Sequence, residues 1–303
     1  MQMPPKKQTK CFPSASDSII HAARCIISPQ TKSESYKLAF DDPQFLLRDE
    51  MRGVRLQLEI MKPELIQQEH GVNATVVVFG GTRIPDPKTA AKRLQEEEMQ
   101  AGREPFSEMA ALRVRRAKSV LDKSHYYEEA RELARLITES CLNNDDCDLI
   151  VSTGGGPGIM EAANRGAFEA GGKSIGLNIV LPHEQAPNQY ITPELCFQFH
   201  YFAMRKMHFL MRARALVAFP GGFGTMDELF ETLTLIQTRK IKALPVILFG
   251  QEFWNKAIDF DFLVHEGVIA PEDKNLFYMV EKAQQAWEII RTFYYESNND
   301  TQS

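Results

Sequence analysis

The stretch ALVAFPGGFGTMDELFETLTLIQ, residues 215–237, decides the fold. It opens with an unbroken apolar run, which is typical of a strand buried on both faces of a parallel sheet. A glycine-rich turn follows at Pro220–Thr225, and from Met226 onward the apolar side chains recur at helical spacing. A strand, a glycine turn and a helix in this order form the repeating half-unit of an α/β sheet.

The same alternation extends in both directions along the chain. Further strands are predicted at 74–81, 148–158, 174–180 and 244–250, and helices at 88–140, 158–172, 203–214 and in the segments after residue 250. Residues 181–202, which contain three prolines, are predicted as a loop. The sequence therefore predicts an α/β fold, a Rossmann-like doubly wound parallel sheet with helices on both faces.

An N-terminal helical extension precedes this pattern. Apolar side chains recur there at steps of three and four, at Leu47, Met51, Val54, Leu58 and Met61, and Pro63 is expected to end or bend the helix. The predicted organisation is a flexible segment at 1–40, an amphipathic helix at 41–70, a Rossmann-like catalytic domain at 71–296 and a polar tail at 297–303.

Composition narrows the classes of function. Of 303 residues, 44% are hydrophobic and 25% charged, which excludes a disordered or fibrous chain. The net charge of −5 is unlike that of a general nucleic-acid binder, and no apolar run approaches the ~20 residues that span a bilayer. Five scattered cysteines favour a reducing cytoplasm, with Cys141 and Cys147 as unlinked thiols. We therefore expect a cytoplasmic protein with no nucleic-acid or membrane partner.

Three predicted strands end in turns that suit a phosphate group. These turns contain Gly80 and Gly81, then Gly154, Gly155 and Gly156, and finally Gly221, Gly222, Gly224 and Thr225. Ligands of open parallel sheets sit beyond the carboxyl ends of the strands, where glycine permits close approach and the next helix presents free N–H groups. The alternative is that these glycines serve only tight turns with positive φ.

Other phosphate, metal and nucleophile motifs are missing from the sequence. There is no GxGxxG fingerprint, and Gly171–Ser174 resembles the end of a P-loop but leaves a helix and enters a strand, which is the reverse order. The histidines form no HExxH pair, and no GxSxG elbow occurs. We expect no metal site and no cofactor.

Charged residues near the turns each allow two interpretations. Glu228, shortly after Thr225, is either a helix cap or a carboxylate that stabilises positive charge on a sugar. Arg205 and Lys206 belong either to a solvated basic helix or to a clamp on phosphate and ribose oxygens. Glu161 is a cap or a ligand contact, and Glu184 lies in the long predicted loop.

Three segments together resemble the LOG (Lonely Guy) family of nucleoside 5′-monophosphate phosphoribohydrolases. They are PGGFGTMDE (220–228), which matches PGGxGTxxE, MRKM (204–207) and GGGPGIME (154–161). The resemblance covers about residues 74–250. It implies a Rossmann-like homodimer or larger homo-oligomer that hydrolyses the N-glycosidic bond of purine or pyrimidine nucleotides, or of cytokinin ribotides, to free base and ribose 5-phosphate.

The resemblance also implies roles for individual residues. Arg205 and Glu228 become the catalytic pair, and Gly221, Gly222, Gly224 and Thr225 hold the 5′-phosphate. Lys206, Glu161, Glu184 and Thr234 become further substrate contacts. The family has also been labelled lysine decarboxylase, but no motif here points to a Schiff-base lysine.

Two other functions fit the same fold. One is a non-catalytic carrier of a nucleotide or of the molybdenum cofactor, and the other is a nucleotide sensor. A carrier needs a phosphate site but no carboxylate beside the sugar, so the pair Arg205 and Glu228 favours the enzyme.

Overall fold

The computed structural model describes residues 12–144, 147–182 and 186–299. The chain divides into two compact units, Met1–Leu58 and Glu59–Ser303. The first contains helices α1 (Ala15–Ala22) and α2 (Pro43–Leu46), and helix α3 runs over Arg52–Glu69.

The N-terminal region differs from the prediction in two respects. Residues 15–22 are helical, because Ser14 and Asp17 form a reciprocal capping box at the start of α1. The helix predicted over 41–70 is divided into α2 and α3. Pro63 lies buried inside α3, which continues to Glu69. The carbonyl of Pro63 accepts a hydrogen bond from Gln67 Nε2 at 3.2 Å.

The described residues of the second unit form one sheet of seven parallel strands. They are β1 (Ala74–Phe79), β2 (Leu149–Thr153), β3 (Ser174–Ile179), β4 (Cys196–Phe199), β5 (Ala213–Ala218), β6 (Val246–Phe249) and β7 (Phe277–Val280). Their spatial order is β4-β3-β2-β1-β5-β6-β7, and every neighbouring pair is parallel. The order reverses at β1, between β2 and β5, so the predicted doubly wound topology is confirmed.

Helices cover both faces of this sheet. The helices that follow β1 are α4 (Pro87–Arg103), α5 (Glu108–Lys123), α6 (His125–Leu142), α7 (Ile159–Glu169), α8 (Phe202–Met211), α9 (Phe223–Gln237), α10 (Gln251–Ala257), α11 (Phe260–His265) and α12 (Ala283–Asn299). Of these, α4 and α5 pack against one another. Val76 and Val78 of β1 point into a core with α6, α7 and α12. Val77 and Phe79 point into the opposite core with α8, α9 and α10. This alternation follows from the two-residue period of a strand.

The prediction missed two short strands. β4 lies within the segment 181–202 that was predicted as a loop, and β7 lies within the C-terminal region that was predicted as helical. Both are four-residue edge strands with few buried side chains, namely Phe197 and Phe199 in β4 and Val280 in β7. A strand this short gives little periodicity, and the prolines upstream dominate the pattern.

The prediction of unlinked thiols at Cys141 and Cys147 is wrong. The structure joins them in a disulfide, with their Cα atoms 4.6 Å apart. α6 ends at Leu142, and the Cα separation of the two cysteines lies within the range that a disulfide needs. The sequence spacing of six residues does not match CxxC, which is why the pair was not recognised.

Candidate active site

The three glycine-rich turns meet at the point where the strand order reverses. Gly81 N donates to Pro220 O at 2.9 Å, and Ile159 N donates to Gly81 O at 3.3 Å. Gly158 has φ +73° and packs against the backbone of Gly81, so no side chain fits there. The turn after β1 therefore lies between the turns after β2 and β5, where open α/β sheets bind their ligands.

The turn after β5 is open. A Cβ added at Gly222 or Gly224 would meet no atom of the described residues within 4 Å. Helix α9 begins at Phe223, three residues earlier than predicted, and its first helical bond runs from Met226 N to Gly222 O at 3.1 Å. The backbone N–H groups of the three residues before Met226 therefore form the free N-terminus of α9. Thr225 is buried and packs over Gly221.

The turn after β2 is filled by side chains of the protein. A Cβ added at Gly154 would lie 2.5 Å from Nη2 of Arg205, and one at Gly156 would lie 2.8 Å from Cε of Met160. Gly155 has φ +76° and carries the side chain of Asn178 against it. The glycines of this turn make room for the protein's own groups.

Glu228 is buried in the second turn of α9, with 5% of its surface exposed. Burial raises the pKa of this carboxyl to about 7, while the charges of Arg205 and Lys206 oppose that rise and those of Glu231 and Asp227 add to it. The helix begins at Phe223, so Glu228 lies too far along it to act as the cap. A buried carboxyl that titrates near neutrality is characteristic of a functional site.

Arg205 and Lys206 project from α8 in different directions. Arg205 Nε donates to Leu177 O at 2.7 Å, and its guanidinium lies over the Phe209 ring, 5.0 Å from the centroid. Lys206 Nζ lies 3.0 Å from Asp227 Oδ1 and 3.2 Å from Glu231 Oε2. Burial lowers the pKa of Lys206, but these two carboxylates together raise it by more. The net shift of the pKa is therefore upward. Neither side chain belongs to a solvated basic face.

Four other predicted contacts are placed less favourably for a ligand. Gly80 is packed against Ile159 and Gly81 against Pro220 O, at 2.6 and 3.1 Å from an added Cβ. Glu161 is half-buried and accepts a hydrogen bond from Tyr127 at 3.2 Å. Thr234 is exposed and donates to Phe230 O.

Thr234 follows Thr225 by nine residues, which is about 13 Å along a helix. It therefore lies well away from the free N-terminus of α9. Glu184 lies outside the described residues, and its predicted contact stays a prediction.

Several residues beside these turns were not predicted. Tyr127 holds Glu161, and Asn164, Asn178 and Asn188 surround the turn after β2. Asn178 had a signal in the sequence, since it is an amide inside an apolar strand, and a buried amide needs hydrogen-bond partners. Asn164 lies between charged residues of a helix, where an amide is ordinary. Asn188 gave no signal.

Another groove lies away from these turns. It has a volume of about 550 Å³ and is formed by α6, α7 and the start of α12. Its arginines and lysine already pair with its glutamates, as in Arg131–Glu169 at 2.5 Å and Lys282–Glu129 at 2.9 Å. Its charges are therefore compensated within the groove.

The described residues contain neither a group of metal ligands nor a membrane-spanning helix. Over 12–144, 147–182 and 186–299, no three His, Cys, Asp or Glu side chains are grouped to hold a metal ion. No helix in that part of the chain is long and apolar enough to cross a membrane.

Comparison with known proteins places the chain in a family. Residues 160–290 match the family described as "Possible lysine decarboxylase". The chain is 31% identical over 169 residues to the cytokinin riboside 5′-monophosphate phosphoribohydrolase LOG1 of Arabidopsis thaliana, which is 54% of this chain and 74% of that protein. It is 29% identical over 158 residues to the probable phosphoribohydrolase LOGL5 of Oryza sativa subsp. japonica, which is 51% of this chain and 60% of that protein.

Among solved structures, the Moco carrier protein from Chlamydomonas reinhardtii is similar over 74% of this chain and 99% of that chain, with a TM-score of 0.44 and 19% identity. No functional statement follows from a similarity at this level.

The seven parallel strands and their helices define a Rossmann-like α/β protein. The chain belongs to the LOG family, as its identity with the Arabidopsis relative shows.

Proposed function

We propose that this protein is an N-glycosidase that hydrolyses nucleoside 5′-monophosphates to a free base and ribose 5-phosphate. The observation that carries the proposal is the buried Glu228, which titrates near neutrality and feels the charge of Arg205, on the helix that follows the open glycine turn. The names of the curated relatives agree with this reaction.

The open turn supplies the site for the 5′-phosphate. Gly222 and Gly224 leave space beside the backbone, and the free N–H groups and partial positive charge at the start of α9 favour an anion. Gly221 permits Thr225 to pack across the turn, which fixes its shape. A phosphate held here positions the attached ribose relative to the helix.

Glu228 then acts on the sugar. Cleavage of an N-glycosidic bond develops positive charge at the anomeric carbon, and an ionised carboxylate stabilises such an oxocarbenium-like state. In its ionised form Glu228 supplies this stabilising negative charge and orients the water that attacks the anomeric carbon. Its burial strengthens the electrostatic effect, because little solvent screens it.

The neighbouring charges have separate duties. Arg205 is oriented by Leu177 O and Phe209 and binds oxygens of the ribose. Lys206, paired with Asp227 and Glu231, keeps positive charge near Glu228 and favours its ionised form. Glu161, held by Tyr127, is a further substrate contact.

The test is the release of free base from AMP, GMP, CMP, UMP and isopentenyl-AMP, with the matching nucleosides as substrates that lack phosphate. We expect turnover of at least one nucleotide, none of the nucleosides, and a loss of at least about a thousandfold in Glu228→Gln. Glu288→Gln, an exposed glutamate on α12, is the matched control and should retain activity.

Light scattering on the same samples measures the oligomeric state, for which we propose a homodimer or a larger homo-oligomer. Phosphate-dependent binding of nucleotides without release of base, even at high enzyme concentration, would overturn the proposal and leave a carrier or sensor of nucleotides.

A further inference from the structure

A buried network of polar side chains underlies the turn after β2. Thr153 Oγ1 donates to Asn164 Oδ1 at 2.7 Å and accepts from Gly155 N at 3.0 Å. Asn164 Nδ2 donates to Ser174 Oγ at 3.0 Å. All three side chains are buried, and the bonds join the end of β2, the middle of α7 and the start of β3. Satisfied buried networks of this kind fix one local conformation.

Asn188 completes this network from the long segment between β3 and β4. Its Nδ2 lies 3.1 Å from Gly155 O, 3.2 Å from Gly156 O and 2.9 Å from Asn164 Oδ1. Its backbone N–H also donates to Gly155 O at 2.9 Å, and its Oδ1 accepts from Tyr190 N at 3.2 Å. One amide thus fastens two successive carbonyl groups of the glycine turn.

The turn that Asn188 fastens is the surface on which Arg205 lies. Nη2 of Arg205 occupies the place where a side chain at Gly154 would stand. Leu177 O accepts from Arg205 Nε, and the next residue, Asn178, lies against Gly155. The end of β3 and the turn after β2 therefore position the guanidinium together, and a change in the turn changes its position.

We propose that Asn188 is a positioning residue that acts through Arg205, because its amide holds the carbonyls of Gly155 and Gly156 in the conformation on which the guanidinium rests. The proposal deepens the function proposed above and rests on it. Asn188 itself touches no reacting atom. Its loss should impair the catalytic step more than the binding of phosphate, since the phosphate site belongs to the other turn.

The kinetic test compares Asn188→Ala with Asn143→Ala. The control variant removes the hydrogen bond that Asn143 Nδ2 donates to Glu139 O, 2.8 Å away at the end of α6. With AMP, or the best nucleotide of the panel, we expect Asn188→Ala to lower kcat roughly tenfold to a hundredfold. Affinity for inorganic phosphate should stay within about twofold, because the phosphate cradle on α9 is untouched. Asn143→Ala should change neither quantity.

A double-mutant cycle separates positioning from a general loss of stability. In an Arg205→Lys background the further loss from Asn188→Ala should largely disappear, because Lys cannot use the same support. Asn188→Asp keeps the shape of the side chain, but its carboxylate cannot donate to the two carbonyls. Its kcat should therefore fall as far as that of Asn188→Ala. Unchanged kcat in Asn188→Ala, full additivity in the cycle, or wild-type activity in Asn188→Asp would each overturn the proposal.

A third readout needs no activity. The side-chain Nε–H signal of Arg205 in ¹⁵N NMR, assigned by its loss in Arg205→Lys, should move in Asn188→Asp and stay in place in Asn143→Ala. If the wild-type protein released no base, the proposed function would fail, and this signal would still decide the role of Asn188. A variant that fails to fold is replaced in all three tests by Asn188→Ser.

Discussion

The turns after β2 and β5 share a run of glycines but differ in what occupies the space beside them. In the turn after β2, Gly154 is covered by Arg205 and Gly155 by Asn178. In the turn after β5, Gly222 and Gly224 face open space at the start of α9. The two turns are therefore similar in sequence but different in use. Side chains of the protein fill the turn after β2, whereas the described residues leave space for a ligand at the turn after β5.

The difference indicates how the site is built. The filled turn is rigid because each glycine is matched to a packed neighbour, and it supports Arg205. Among the described residues, the backbone N–H groups of the open turn have no hydrogen-bond partner, and a buried carboxyl follows them. Both features cost stability in the absence of substrate.

Gly155→Ala should have the largest effect on stability. The residue has φ +76°, and the side chain of Asn178 occupies the place of the new methyl group. The positive φ and the overpacking together should lower the free energy of unfolding by about 3–4 kcal/mol. Urea unfolding measures this, and Gly102→Ala, where an added Cβ meets no described atom within 4 Å, is the control. A loss below 1 kcal/mol would show that the turn is not rigid.

Glu228→Gln should stabilise the protein at pH 8 while it removes activity. The pKa of the carboxyl is about 7 in the folded protein and 4.5 in its reference state, so the folded state favours the protonated form. The stability of the wild-type protein therefore falls as the pH rises from about 4.5 through 7, by about 3 kcal/mol in total. The stability of Glu228→Gln does not fall in this way, because glutamine stays neutral at every pH in this range.

The check is the difference in free energy of unfolding between the variant and the wild type at pH 8 and at pH 5. The advantage of Glu228→Gln should be near its full size at pH 8 and small at pH 5. An advantage that is the same at both pH values would contradict the raised pKa and with it the contrast between the two turns.

The fold and one of the two turns were predictable from the sequence, but the packing of the other turn was not. The fold was predictable because apolar runs, glycine turns and helical periodicity follow one another from residue 74 to residue 250. The open turn was predictable from its motif, PGGFGT. The filling of the other turn was not, because it depends on Asn178 and Asn188, which approach it from distant parts of the chain.

Individual charges were harder to predict than the turns. Arg205 and Lys206 are neighbours in sequence, yet one points to the ends of β2 and β3 and the other to α9. Glu228 was open to interpretation as a cap until the start of α9 at Phe223 placed it in the second turn. Burial and the start of a helix are properties of the packed molecule, and periodicity alone does not determine them.

Gly224→Ala should leave the fold intact and weaken the phosphate site. An added Cβ meets no described atom within 4 Å, and alanine suits a helical position better than glycine. The methyl group would stand where we propose that phosphate binds, so KM for the nucleotide should rise about tenfold, which corresponds to roughly 1.4 kcal/mol. Steady-state kinetics and thermal unfolding measure the two effects. An unchanged KM would show that the phosphate does not bind at this turn.

Lys206→Met should have the smallest effect, a shift of the pH profile. In the wild type, kcat/KM should rise with pH and level off above about 7, as Glu228 ionises in the free enzyme. The charge of Lys206 lowers the pKa of Glu228, so its removal should move the rising limb to higher pH. Asp227→Asn acts in the opposite direction, because the carboxylate of Asp227 raises the same pKa. If both variants moved the limb the same way, a change in packing between α8 and α9 would explain the result better than charge, and the proposed duty of Lys206 would be wrong.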